Sequence, residues 1–293
     1  MTLQEDFPLV SIITPSLNQG RFIRDTIESV LSQDYPRLEY IVMDGGSTDD
    51  TLNILHSYGD RLIWKSAPDL GQADAVNSGF RLAKGEILGW LNSDDTYYPG
   101  AVKAAVEHLA ANPDTAVVYG NAYYIDEKNA VIGTYPTEDF DLDRLAEACV
   151  ICQPTAFLRR AALDTVGLLD PSLRYCMDYD LWIRLGRRFR IDRIKRSLAN
   201  SRRYPETKSF AHRDELFTEI YAVAERSFGR VSPHWRVTRA YYRLVDRSWP
   251  VARLVLWPAR ELLPAGVHHW LRTKFPLLLY RASARGAPPR SIR

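Results

Sequence analysis

The first 230 residues predict an α/β fold, and three observations carry that expectation. Short apolar runs alternate with segments whose apolar residues recur at helical spacing, turn residues punctuate the boundaries, and two adjacent carboxylates, Asp94 and Asp95, follow directly on a buried-strand pattern. A crevice above strand ends is where open α/β sheets collect ligands.

Residues 10–14 read as a first buried strand ended by Pro15, and Phe22, Ile23, Ile27, Val30 and Leu31 place a helix over 20–32. A second strand follows over 38–43. After it, Asp44-Gly45-Gly46-Ser47-Thr48-Asp49 predicts an unusual turn, with Ser47 or Thr48 capping a helix toward Tyr58. A short strand at 63–65, a helix over 72–83 and a fourth strand at 86–91 complete a nucleotide-sized crevice. Neither Gly-x-Gly-x-x-Gly nor Gly-x-x-x-x-Gly-Lys-Ser/Thr occurs, so the usual dinucleotide and P-loop fingerprints are excluded.

The strand-end acids point to a cation. Hard divalent ions that also touch phosphate are commonly held by one or two carboxylates, so a metal bridging a diphosphate is the expected occupant of Asn92-Ser93-Asp94-Asp95. A pair of acids capping the helix that starts near Pro99 is the alternative on this motif alone.

Composition is that of a soluble globular chain of 293 residues. Three cysteines, Cys149, Cys152 and Cys176, cannot form an even disulfide framework, and Glu5 and Asp6 do not read as a signal peptide, so a reducing cytoplasm is expected. Cys149 and Cys152 fall in an apolar run expected to be strand, where an i, i+3 pair faces opposite sides and packs. The formal charge of +2 is uneven: residues 230–293 hold 13 Lys plus Arg against Asp246 and Glu261, giving +11, while the rest holds 25 against 34, giving −9. That tail also carries Trp235, Trp249, Trp257 and Trp270, with arginines interrupting every apolar stretch before it could span a bilayer. Contact with an anionic membrane surface is one expectation, and a helical unit packed on the rest of the chain or on a second copy in a homodimer is the other. The acidic remainder speaks against nucleic acid.

Six ordered blocks resemble the inverting family 2 glycosyltransferases of GT-A fold: Val10-Ser11-Ile12-Ile13-Thr14-Pro15-Ser16-Leu17-Asn18, Ile41-Val42-Met43-Asp44-Gly45-Gly46-Ser47-Thr48-Asp49, Gly71-Gln72-Ala73-Asp74-Ala75-Val76-Asn77-Ser78-Gly79, Gly89-Trp90-Leu91-Asn92-Ser93-Asp94-Asp95, Gln153-Pro154-Thr155-Ala156-Phe157 and Met177-Asp178-Tyr179-Asp180-Leu181-Trp182-Ile183-Arg184. The resemblance implies a Rossmann-like mixed sheet flanked by helices over residues 1–229, with a nucleotide-sugar half to about residue 120, an acceptor half to 229 and a basic helical extension over 230–293. It further implies nucleotide contacts from Thr14, Pro15, Ser16, Asn18, Asp44, Ser47, Gln72, Asn77 and Asp94. Asp95, with Asp94, would hold Mn²⁺ or Mg²⁺; Asp178 would be the general base; Gln153, Trp182 and Arg184 would lie on the acceptor side. Asp180 is read instead as the i, i+4 partner of Arg184.

The implied reaction moves a sugar from a nucleoside diphosphate to a hydroxyl of a glycan or lipid-linked acceptor, in the cytoplasm or at the inner face of the membrane, in cell-surface polysaccharide assembly. This chain departs from the family at three places: Gly45 where many relatives have a second acid, Val76 where many have Arg, and Tyr204 where many have His. The diphosphate is therefore expected to rely on Lys or Arg from elsewhere. A noncatalytic sugar-nucleotide scaffold remains as the alternative. A sugar nucleotidyltransferase is less consistent, because residues 15–20 lack a basic side chain, and a glycoside hydrolase leaves the Asp44 turn and the Asp95 block unexplained.

Overall fold

A computed structural model describes residues 7–247. Strands β1 (Val10–Ser16), β2 (Leu38–Asp44), β3 (Ile63–Ser66) and β4 (Ile87–Trp90) run parallel in the order β3-β2-β1-β4. Beyond β4 the strand directions of the sheet become mixed. β5 (Thr96–Tyr97), β6 (Thr115–Ile125), β8 (Phe157–Arg159) and β9 (Arg190–Arg202) extend it as β4-β8-β6-β9-β5, and β7 (Val131–Thr134) pairs with β6. β4–β8, β8–β6 and β9–β5 are antiparallel, whereas β6–β9 is parallel, so the sheet is mixed.

Successive residues of a strand face opposite sides, and β1 feeds a core on each. Ile13 joins Ile41, Phe80 of α3 (Gln72–Leu82), Leu181 of α7 (Met177–Gly186) and Phe217 of α9 (Arg213–Phe228). Ile12 joins Val42, Ile27 of α1 (Ile23–Leu31), Leu55 of α2 (Thr51–Ser57) and Val102 of α4 (Ala101–Ala111). Burial on both faces is why these strands read as unbroken apolar runs. α3 lies so close to β1 that a Cβ at Gly79 would stand 2.4 Å from Ile13 Cγ2.

Three local expectations are corrected. β1 does not end at Pro15 but continues to Ser16 in register with β2. Ile13 carbonyl faces β4 and Ser16 carbonyl accepts from Gly45 next to β2, so the nitrogen of Pro15 faces the β4 side, where pairing has already stopped at Ile13 and no ladder bond is lost. Neither Ser47 nor Thr48 caps α2: Asp49 accepts from the Thr51 and Gly20 N–H groups, while Ser47 and Thr48 bond into the loops of Asp44 and Asn18. Residues 149–152 form no strand, because the Tyr135 hydroxyl binds the Cys149 and Ile151 carbonyls and removes them from any ladder.

The chain beyond β7 adds α5 (Leu142–Leu145), α6 (Arg160–Val166) and α8 (Lys208–Ala211) before α9. Glu219 of α9 accepts the N–H groups of Arg174, Tyr175 and Cys176, which fixes the loop entering α7. α10 (Pro233–Arg247) packs back on α9 through Trp235, which is only 9% exposed and meets Tyr179 and Phe217 edge-on. Trp235, with Val231 and Tyr242 packed against the same cluster, therefore ties the start of the basic tail to the core. Trp249, Trp257 and Trp270 lie outside the described residues, within which no helix is long and apolar enough to cross a membrane.

Trp235→Ala should remove this anchor and lower stability by about 3–5 kcal/mol, the usual cost of truncating a buried aromatic. Chemical denaturation of the full chain checks this; a loss below about 1 kcal/mol would mean that α10 is not held by the core.

Candidate functional site

A cleft of about 750 Å³ opens beyond the ends of β1 and β4. Pro15, Ser16, Asp69 and Gln72, the turn residues Asn92, Asp94 and Asp95 after β4, and Asp178, Phe217 and Trp235 from α7, α9 and α10 line it.

Asn92 organises the turn after β4. Its Oδ1 accepts from Gln72 Nε2 at 2.8 Å and Trp90 Nε1 at 2.9 Å, and its Nδ2 donates to Asp95 Oδ2 at 3.2 Å and Gln153 Oε1 at 3.1 Å. Gln153 Nε2 in turn donates to the Trp90 carbonyl at 2.5 Å. Asp95 is 4% exposed, and its Oδ1 accepts the Arg202 N–H of β9 at 2.8 Å. Asp94 is half-buried on the cleft wall and accepts from the Tyr204 phenol at 2.9 Å, through Oδ2. Asp95 is thus built into the scaffold, and Asp94 is the more accessible carboxylate.

Burial raises both acids. In Asp95, burial followed by repulsion from Asp94 pushes the pKa to about 8; in Asp94, burial dominates against the lowering effect of the Tyr204 hydrogen bond. A divalent cation would reverse that penalty. Among the described residues no set of three His, Cys, Asp or Glu is grouped to hold a metal, so the pair fits a cation that completes its shell with phosphate oxygens and water.

Asp178 opens α7, where its Oδ1 accepts the Tyr179 N–H at 2.8 Å. No other side chain among the described residues is hydrogen-bonded to it, and burial pushes its pKa up to about 6. A carboxylate near that value can take a proton at neutral pH. Asp180, by contrast, is spent on Arg184 at 2.8 Å and Arg226 at 2.7 Å. Burial, then the Asp178 charge, raises the thiols of Cys149 and Cys176; burial and Asp95 do the same for Cys152. All three are free and poor nucleophiles.

The structure brings Pro15, Ser16, Gln72, Asp94, Asp95, Gln153 and Asp178 to one cleft. Other expected residues have structural partners. Asn77 clamps Leu169 through both its N–H and carbonyl, Trp182 is buried in the core, and Arg184 binds the Val166, Gly167 and Leu168 carbonyls at the end of α6. Thr14 is buried and accepts from Tyr40. Asp44 is 3% exposed, and its carboxylate accepts from the Gly46 and Ser47 N–H groups and from the Ser47 and Ser66 hydroxyls; Ser47 and Asn18 complete that turn. Asn92, part of the stretch expected to hold the cation, lines the cleft, whereas sequence reasoning missed Arg203 and Lys208 as lining residues. Arg203 lies over the Tyr124 ring at 4.3 Å and binds Ser209, and Lys208 Nζ donates to Gln72 Oε1 at 2.9 Å. Only the missing Arg at Val76 hinted that such cations were needed.

The sequence profile described as glycosyl transferase family 2 matches residues 11–167, more than half of the chain. The chain belongs to that family. It is 34% identical over 194 residues to an uncharacterized glycosyltransferase of Rickettsia prowazekii, covering 61% of this chain and 59% of the relative. It is 30% identical over 228 residues to a chondroitin synthase of Escherichia coli, covering 76% of this chain and 33% of that protein. The family 2 chain thus spans between about a third and three fifths of these relatives. In fold it is similar to S. aureus TarS 1-349 in complex with UDP-GlcNAc, at TM-score 0.61 and 18% identity over 90% of this chain and 79% of that one. It is also similar to the mannosyltransferase PcManGT of Pyrobaculum calidifontis in complex with GDP-Man and Mn²⁺, at TM-score 0.59 and 19% identity over 96% and 83%. The mixed sheet with flanking helices is the GT-A architecture of these structures.

Because Asp95 is scaffold as well as site, its replacement should not leave the fold untouched, contrary to expectation for a surface crevice. Asp95→Ala leaves the buried Arg202 N–H unpaired and should cost about 1–3 kcal/mol, whereas Asp95→Asn keeps an acceptor and should recover most of it. Equal stability of the two variants in urea titration would show that the bond to β9 contributes nothing.

Proposed function

We propose that this family 2 glycosyltransferase transfers a sugar, with inversion, from a nucleoside diphosphate sugar to a hydroxyl of a glycan or lipid-linked acceptor in cell-surface polysaccharide assembly. The observation that carries the reading is one cleft holding a raised carboxylate pair, Asp94 and Asp95, together with a separate, hydrogen-bond-poor carboxylate, Asp178.

Asp178 takes the proton of the acceptor hydroxyl as its oxygen attacks the anomeric carbon. The bond from that carbon to the diphosphate oxygen breaks on the opposite side, so the electron pair leaves with the diphosphate and the centre inverts. Mn²⁺ or Mg²⁺ held by Asp94 with Asp95 would stabilise charge on the leaving group. Arg203 and Lys208 supply the cations that Val76 does not. Burial and then the nearby Arg174 lower the pKa of Lys208, and an anionic diphosphate beside it would favour its charged form. Phe217 and Trp235 back an apolar wall suited to the acceptor. α10 presents exposed Arg236 and Val237 outward, while Arg243 pairs with Asp214 of α9; the outward pair supports a reading of the basic region against an anionic membrane that carries a lipid-linked acceptor.

Asp178→Asn should retain donor affinity and lose transfer by about 10²–10⁴-fold. In the parent, transfer should rise as pH increases through about 6, because the raised carboxylate must be ionised to accept the proton. Its ionisation also opposes folding: protonation is favoured in the folded state, so this group's stabilising contribution is present below about pH 4 and is lost as pH rises through about 6. Product anomer by NMR, with a pH–rate profile, checks the mechanism; a variant keeping more than about a tenth of the parent rate would move the base elsewhere.

Asp94→Asn should abolish the Mn²⁺ dependence of donor binding while the free protein melts as the parent does, since the amide still accepts from Tyr204. Calorimetry with and without Mn²⁺ reads this out. Unchanged dependence would remove Asp94 from the metal site.

A further inference from the structure

The two carboxylates after β4 offer a cation fewer open oxygens than their number suggests. Both oxygens of Asp95 already accept hydrogen bonds, Oδ1 from the Arg202 N–H at 2.8 Å and Oδ2 from Asn92 Nδ2 at 3.2 Å. Oδ2 of Asp94 accepts from the Tyr204 phenol at 2.9 Å. That leaves Oδ1 of Asp94 as the one carboxylate oxygen of the pair that accepts no hydrogen bond from the described residues. The phenol is also held firmly in place. Tyr204 is buried, its ring packs on the Phe22 ring at 4.9 Å, the Arg21 guanidinium lies 5.7 Å from the ring centre, and its N–H donates to Thr207 Oγ1 at 3.0 Å.

We propose that Tyr204 determines which metal the site accepts: by occupying Oδ2 it restricts Asp94 to a one-oxygen grip, which favours Mg²⁺ or Mn²⁺ over the larger Ca²⁺. The assignment rests on the reading above in which a divalent ion at Asp94 and Asp95 meets the donor diphosphate. Tyr204 acts through Asp94 and is a positioning residue. Mg²⁺ demands a near-octahedral shell that one or two carboxylates, phosphate oxygens and water can complete, whereas Ca²⁺ takes about six to eight oxygens and is well served by a carboxylate binding through both of its own. A cation gripping both oxygens of Asp94 must compete with the phenol proton for Oδ2.

The test is calorimetric titration of the full chain and of Tyr204→Phe with UDP, GDP, CDP, ADP and dTDP, in Mn²⁺, Mg²⁺, Ca²⁺ or EDTA. For a nucleotide that binds, the readout is the ratio of its affinity in Mn²⁺ or Mg²⁺, whichever is tighter, to that in Ca²⁺. Contacts to base and ribose cancel in that ratio. Tyr204→Phe keeps the ring against Phe22 and removes only the hydroxyl. The parent should disfavour Ca²⁺, and the variant should lower the ratio about 10-fold by tightening in Ca²⁺, a change within the range that partners of metal ligands exert.

A parent that binds equally well in Ca²⁺ and in the smaller ions overturns the proposal without any substitution. So does a Tyr204→Phe variant with an unchanged ratio, or one that loses affinity equally in all three ions, since the phenol would then only orient Asp94. Failure of the underlying reading shows itself differently: parent binding that is the same in EDTA refutes the metal, and a parent that binds none of the nucleotides refutes the donor, each taking the proposal with it.

Discussion

The cleft depends on one hydrogen bond, from the Arg202 N–H of β9 to the carboxylate of Asp95 at 2.8 Å. β4 belongs to the parallel strands, and β9 pairs with β6 on the other side of the sheet. The bond joins the turn after β4 to the end of β9, with the Arg202 guanidinium also donating to the Asp94 carbonyl at 2.8 Å. A carboxyl oxygen that accepts from a buried backbone N–H spares the fold an unsatisfied donor in its interior. Its geometry leaves Asp94, the preceding residue, on the cleft wall. The same turn places Asn92 to hold Gln72 of α3 and Gln153 ahead of β8, so residues from both parts of the sheet are positioned by one short stretch of chain.

The second half of the site is set from the opposite direction. Glu219 gathers three N–H groups ahead of α7, and Trp235 packs α10 over Tyr179, the residue after Asp178. These contacts hold Asp178 at the start of its helix without giving it a side-chain partner among the described residues. Desolvation with little compensation is what raises its pKa, whereas Asp180, two residues on, is paired with two arginines and serves packing. Two carboxylates on one turn thereby acquire different roles from their surroundings.

The family signature was legible because its chemistry sits in contiguous residues. The alternation of buried strands and amphipathic helices, the acids following β4 and the Asp178 block all recur locally, and local pattern is what periodicity and motif reading can detect. The pairing of Asp180 with Arg184 was legible for the same reason, since i, i+4 spacing brings the two together on any helix. Less was visible beyond residue 100, where β6 and β9 pair in parallel across a long intervening stretch of chain.

By itself, then, the sequence determined an α/β crevice, its family and the carboxylates available to it. Tertiary structure decided which of those groups face the cleft. Asp44 and Asn77 stand in motifs yet bond inward to the Ser47 turn and to Leu169, while Lys208 reaches Gln72 across 136 positions and Asp69 fills the space beside Gly45. The physical reason is that hydrogen-bond capacity is finite: whether a carboxylate or amide remains open to a ligand depends on neighbours brought together only by folding.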